Sequence, residues 1–201
     1  MLDRLALRLL APPIGGLARV LVRAGVGADA LTLAGFAIGI AGAAAIALQA
    51  YTAGLVLIGL SRLCDGLDGA VARLTTPSDR GAFLDITLDF LFYASVPLAF
   101  AFANPGDNAL PAALLLAAFI GTGSSFLAFS ALAGRRGLQS TAYPNKGLYY
   151  LGGLTEATET LICFALMCLF PAQFALWACG FAALCGLTIV SRLWAGWRIL
   201  K

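Results

Sequence analysis

Four aspartates, Asp65, Asp68, Asp85 and Asp89, fall inside one short stretch, DGLDGAVARLTTPSDRGAFLDITLD, of a chain that is apolar almost everywhere else. At 100° per residue, Asp65, Asp68, Gly69 and Ala72 share one helical stripe, with Arg73 one step round. Gly81, Asp85 and Asp89 make a second stripe at four-residue spacing. Between them Thr75-Thr76-Pro77-Ser78-Asp79 reads as a turn, with a proline that a helix does not easily continue through. Asp68 and Asp85 lie nine and eight residues from Pro77, and Asp65 and Asp89 both lie twelve away. Folded as an antiparallel hairpin, the two pairs face each other at matching depth and form a four-carboxylate cage.

Such a cage needs a cation. An ionised aspartate at the centre of a membrane helix costs roughly 2.5–3.5 kcal/mol on insertion scales, and facing like charges add to that. Arg62 and Arg73 are two charges against four. Hard divalent ions, Mg²⁺ or Mn²⁺, favour all-oxygen ligands, and a pair of them shared among Asp65, Asp68, Asp85 and Asp89 neutralises the site.

The setting is a membrane. Hydrophobic residues make up 61% of the 201 and charged ones 11%, with a mean hydropathy of +0.91, too little polarity to cover a globular surface in water. The net charge of +3 and the lack of basic runs interleaved with aromatics argue against nucleic acid as a partner. With no histidine, every mechanism or metal site built on imidazole is excluded. Five cysteines in apolar stretches, without metal-ligand spacing, read as small hydrophobes.

The fold class expected is all-α: a single polytopic membrane domain over 1–201, with an interfacial amphipathic helix in 1–24 and six transmembrane helices in 31–200. Residues 1–24 carry Arg4, Arg8, Arg19 and Arg23 and are broken by Pro12-Pro13, which suits a surface-lying helix better than a span. The spans are expected at about 31–49, 51–74, 81–103, 110–133, 148–170 and 172–193. Gly35, Gly39 and Gly42 give the first a small-residue face for close packing. Asn104 to Asn108 reads as a turn. The hydroxyls Thr122, Ser124, Ser125 and Ser130 in the fourth are expected to bond their own helix or to hold helices together. Trp194, Trp197 and Arg198 close the sixth as an interfacial belt. Lysines and arginines gather at both termini and in the loops after spans two and four, which places those on the cytoplasmic side.

Glu156 and Glu159 stand one turn apart in the fifth span, whose own length holds no lysine or arginine. They are expected to line an acceptor pocket together with Lys146, Arg135 and Arg136, favouring an acceptor with an ammonium or several hydroxyls. The alternative is that they are protonated, or pair with Lys146, Arg62 or a loop arginine, and only hold helices together.

The central stretch resembles the signature of the CDP-alcohol phosphotransferases (CDP-alcohol phosphatidyltransferases). The match runs through Asp65, Asp68-Gly69, Ala72-Arg73, Gly81, Asp85 and Asp89, all eight fixed positions. One departure is a spacer of seven residues, Leu74 to Arg80, where eight is usual; a proline-containing turn absorbs it. The charge distribution puts both termini and the site opening on the cytoplasmic side, and the resemblance implies a short bacterial inner-membrane enzyme that works as a homodimer. It implies transfer of a phospho-alcohol from a CDP-linked lipid alcohol, such as CDP-diacylglycerol, to a small hydroxyl acceptor, with CMP released. Asp65, Asp68, Asp85 and Asp89 become ligands of two divalent ions, with Asp89 also the base. Gly69, Ala72, Arg73 and Gly81 fall to the nucleotide donor. Thr32 and Asp29 stand where relatives tend to have a threonine and an asparagine near the nucleotide, though both also suit a helix N-terminus. The rivals are an ion or metal transporter lined by carboxylates, which gains nothing from Arg73 at its mouth, and an aspartate-rich prenyltransferase, whose two motifs lie far apart in sequence. A non-catalytic scaffold is the remaining alternative.

Overall fold

The computed structural model describes residues 3–137 and 153–200, and every regular element among them is helical. The order is α1 (Asp3–Arg23), α2 (Ala28–Ala47), α3 (Tyr51–Leu74), α4 (Asp79–Ala103), α5 (Pro105–Arg135), α6 (Ala157–Leu169) and α7 (Phe174–Ile199), with a single 3₁₀ turn at Pro171–Gln173.

Among the described residues, four stretches are long and apolar enough to cross a bilayer: Ala28–Ala47, Asp79–Ala103, Pro105–Arg135 and Pro171–Ile199. Two of the six expected spans fall short of that measure. α3 has the length, but Arg62, Asp65, Asp68 and Arg73 interrupt its apolar run. Of the fifth span, the described residues contribute the 13 residues of α6, about 20 Å of helix against a hydrocarbon core of about 30 Å. Other boundaries move for local reasons. Pro12 and Pro13 lie inside α1 rather than breaking it. The expected turn at 104–108 shrinks to Asn104, because Pro105 sits at the first helical position, where its missing N–H is no loss. α4 starts at Asp79, two residues before Gly81, capped by the Ser78 hydroxyl, which accepts from the Gly81 amide at 3.1 Å.

The aspartate hairpin is not a closely packed pair. α2 packs against both α3 and α4, whose backbones scarcely meet. The glycine stripe makes this possible. A Cβ on Gly35 would stand 2.9 Å from the Cys64 Cβ, and one on Gly39 would meet the Phe92 ring at 2.6 Å and the Ser61 hydroxyl at 2.8 Å. α2 is therefore a wedge, touching α3 on one flank and α4 on the other. α1 lies across the base of α3, with Ala18 buried against Ala70 and Val71.

Behind the hairpin an aromatic core ties α4 to the later helices. Phe100 stacks on Phe174 with centroids 4.6 Å apart, and Phe164 packs among Tyr93 and Phe119. Phe92, Phe100, Phe164 and Phe174 are fully buried. Leu33, Val56, Phe102, Leu110, Leu176 and Val190 face outward, as expected of helices whose apolar surfaces meet lipid and which cohere by packing.

Candidate metal centre and adjoining chamber

Asp65, Asp68 and Asp85 converge: one carboxylate oxygen from each lies within 4.8 Å of the others. Two flank the same face of α3 and the third comes from α4, as the stripes require. The matching-depth pairing of the sequence reading is altered, because the wedge of α2 holds the helices apart and a cation fills the deep end. Arg62 Nη1 lies 2.5 Å from Asp89 Oδ1 and 3.2 Å from Asp65 Oδ1. Asp89 thus stands beside the triad, joined to it through an arginine.

Asp68 is the most enclosed of the acids, 5% exposed. Its Oδ2 accepts from the Thr32 hydroxyl at 2.6 Å. Thr32 and Asp29 are not helix caps: α2 is preceded by Gly27 at the cap, and both lie within the helix. Thr32 turns toward the carboxylates, whereas Asp29 accepts from Arg80 Nη2 at 2.5 Å. A Cβ on Gly81 would come within 3.1 Å of Asp29 Oδ1, so this motif glycine leaves room for α2 to close on the start of α4. Arg73, expected at the donor phosphates, is exposed, and its guanidinium folds back over Gly69. Ala72 is half-buried on the turn nearest the loop.

The donor set fits a hard divalent ion. It is all oxygen, anionic, and nearly as compact as an octahedral Mg²⁺ shell, about 4 Å across opposite ligands at an Mg–O distance of about 2.1 Å. Thr32, Arg62, Asp65, Asp68, Asp85 and Asp89 line the small cleft around it.

On the other side of Asp89 lies a chamber of about 500 Å³ between α4, α5, α6 and α7. Asp89 belongs to the walls of both spaces. Glu156 and Arg192 stand on the chamber wall with Tyr93, Thr122, Thr155 and Thr160. Glu159 is not among the lining residues. The two glutamates are not a mid-span pair. Glu156 is the N-cap of α6 and Glu159 its third residue, each carboxylate accepting from the other's backbone amide in a capping box. Thr122, Ser124 and Ser125 bond carbonyls of their own helix, as expected. Arg135 and Arg136 are exposed at the end of α5 and do not line the chamber. Lys146 lies outside the described residues.

Arg192 joins the site without being part of any motif. It is 9% exposed, its Nη1 donates to the Thr122 carbonyl at 2.9 Å, and Gly153 leaves space for its guanidinium. The signal was present: an arginine in the last third of an apolar span is a functional candidate by default.

Comparison with known proteins agrees with this arrangement. Residues 26–190 match the family model described as CDP-alcohol phosphatidyltransferase. The chain is 53% identical over 201 residues to Inner membrane protein YnjF of Escherichia coli (strain K12), covering 100% of this chain and 98% of that one. Two crystal structures of phosphatidylinositol phosphate synthase (PgsA1) from Mycobacterium tuberculosis are similar at 25% identity. The one with CDP-DAG bound has a TM-score of 0.67 and covers 92% of this chain and 93% of that one. The one in complex with manganese and citrate has a TM-score of 0.69 and covers 92% and 88%. The signature aspartates, the helical architecture around them and a family model spanning most of the sequence together make this chain a member of the CDP-alcohol phosphatidyltransferase family.

Proposed function

We propose that this protein transfers a phosphatidyl group from CDP-diacylglycerol to the hydroxyl of a small acceptor, releasing CMP, at the inner membrane of a bacterium. The family transfers phosphatidyl groups from CDP-alcohols in phospholipid synthesis. The CDP-DAG bound to PgsA1 supports a CDP-lipid donor, and the inner-membrane relative supports the location. One observation carries the reading: Asp89 lies on the wall shared by the carboxylate cleft and the chamber.

Two divalent ions, Mg²⁺ or Mn²⁺, held by Asp65, Asp68, Asp85 and Asp89, would supply Lewis-acid polarisation of the phosphoryl oxygens. The manganese in the PgsA1 complex supports that assignment. The protein's own residues do the rest. Gly69 and Ala72 leave space along α3 for the donor, Gly81 lets α2 close on the start of α4 beside it, and the Arg73 fork, unfolding from Gly69, binds its phosphates. Thr32 fixes the Asp68 carboxylate. Asp89 takes the proton of the acceptor hydroxyl as that oxygen attacks phosphorus and the bond to CMP breaks. Glu156 and Arg192 orient the acceptor in the chamber. Both termini and the opening face the cytoplasm, where CDP-lipid and water-soluble alcohol meet, and the protein works as a homodimer, as the sequence resemblance implies.

The test is CMP release by purified full-length protein from CDP-diacylglycerol across a panel of alcohols. A CMP signal that depends on one alcohol supports the reading and names the acceptor. No CMP with any alcohol, from protein that stays folded and metal-loaded, contradicts it.

A further inference from the structure

α4 carries Phe83, Phe90, Phe92, Tyr93, Phe100 and Phe102, and only Tyr93 among these rings bears a hydroxyl. Its ring is held on several sides. It lies edge-on to Phe92 with centroids 5.3 Å apart and 6.1 Å from Phe164, and the Arg62 guanidinium carbon is 5.6 Å from its centroid. A phenylalanine would make all of these contacts. The hydroxyl is what packing does not account for, and a tyrosine inside a protein usually gives its O–H a partner.

That oxygen faces Arg62 and, close by, the carboxylates of Asp89 and Asp65. A guanidinium has donors only, so Arg62 can meet the lone pairs of the phenol oxygen but cannot take its proton. Among the described residues, the Tyr93 hydroxyl donates to none. The proton is left for an acceptor on the open side, and the open side is the chamber, whose wall includes Tyr93. Tyr93 follows Asp89 by four residues, one turn and about 6 Å of rise along the same face. Long side chains on a helix lean back toward its N-terminus, which brings the phenol over Asp89. Asp89 is shared with the carboxylate cleft, whereas Tyr93 lines the chamber only. A hydroxyl that approaches the cleft through the chamber therefore meets both groups together.

We propose that Tyr93 aims the reacting hydroxyl of the acceptor. The phenol donates to one lone pair of that oxygen, the oxygen's own proton points at Asp89, and its second lone pair is left to face phosphorus. In the transfer the oxygen–phosphorus bond forms, the bond from phosphorus to the CMP oxygen breaks, the acceptor proton goes to Asp89, and Tyr93 keeps its own. An alcohol oxygen has one proton and two lone pairs, so fixing two of these directions fixes the third. The hydrogen bond lowers the oxygen's nucleophilicity a little, but aim matters more, since a misplacement of about 1 Å can cost about 10² in rate. This rests on the transfer reading above and goes beyond it in naming the residue that orients the nucleophile.

The experiment is CMP release from CDP-diacylglycerol by the detergent-solubilised full chain, with alcohol and donor varied in turn, comparing wild type with Tyr93→Phe. The variant keeps the ring and its neighbours, so thermal unfolding and Mn²⁺ affinity should match the wild type. Its kcat/KM for the alcohol should fall about 10–100-fold, with the donor KM unchanged. A wild-type kcat/KM for the alcohol in Tyr93→Phe would overturn the proposal. So would a loss shared with the donor KM or with Mn²⁺ affinity, which marks a packing role. The two readings separate cleanly. A wild type that releases no CMP with any alcohol contradicts the transfer reading itself. Wild-type turnover that Tyr93→Phe retains in full contradicts the Tyr93 assignment alone.

Discussion

The Thr32 hydroxyl reaches from α2 to Asp68 Oδ2 at 2.6 Å, so the most buried carboxylate of the site is aimed by a neighbouring helix. The same hydroxyl lies 3.1 Å from the Ala28 carbonyl, a longer and weaker alternative. Groups that orient a metal ligand typically govern affinity by about 10–100-fold when removed. Thr32→Val, which keeps the shape and loses the hydroxyl, should weaken divalent binding by about that factor and leave thermal unfolding of the metal-free protein nearly unchanged. Mn²⁺ titration checks it; wild-type affinity would remove Thr32 from the site.

The wedge of α2 is tested at Gly39. A methyl there meets both the Phe92 ring and the Ser61 hydroxyl at under 3 Å. Gly39→Ala should destabilise by about 1–3 kcal/mol, the usual cost of overpacking, and lower activity by spreading α3 from α4. Gly59, where a methyl meets nothing within 4 Å, is the control: Gly59→Ala should be neutral or stabilising in a thermal melt.

Asp89→Asn separates the two duties proposed for that residue. As the base, its loss should reduce turnover by about 10²–10⁴ while nucleotide binding persists. If binding of metal and nucleotide vanishes together, Asp89 is chiefly a ligand. Near-normal turnover removes it from both roles.

The capping box gives Glu156 and Glu159 different fates. Glu156→Gln should raise the acceptor KM with the donor KM unchanged, because its side chain lines the chamber. Glu159→Gln keeps a capping-competent amide and faces no chamber, so kinetics should hold with at most a small fall in stability. Equal kinetic effects from both would contradict this division.

The site was legible in sequence because its residues obey a local rule. Asp65 and Asp68 share a stripe, Asp85 and Asp89 share another, and helical geometry carries that spacing into space. The packing was not, since nothing in the hairpin itself says that α2 comes between its arms. That follows from Gly35 and Gly39, whose small size announces a close neighbour but not which one. Glu156 and Glu159 misled because glutamate is not a favoured N-cap, so a helix start looked like a helix middle. Asn104-Pro105 has the composition of a turn, yet Asn104 is the N-cap and Pro105 the first residue of α5. The chamber draws walls from four helices, which no pattern in one stretch encodes. Arg192 alone carried a usable hint.

Metal-dependent transfer from a CDP-lipid at the aspartate site is tested by CMP release from CDP-diacylglycerol by the purified full chain, with the acceptor identified by the panel, under chelator and then with Mg²⁺ or Mn²⁺ restored. Release should stop in chelator, return with either ion, and stay absent in Asp68→Asn and Asp85→Asn at any metal concentration that supports the wild type. Undiminished CMP release in excess chelator, or from either variant, would contradict it.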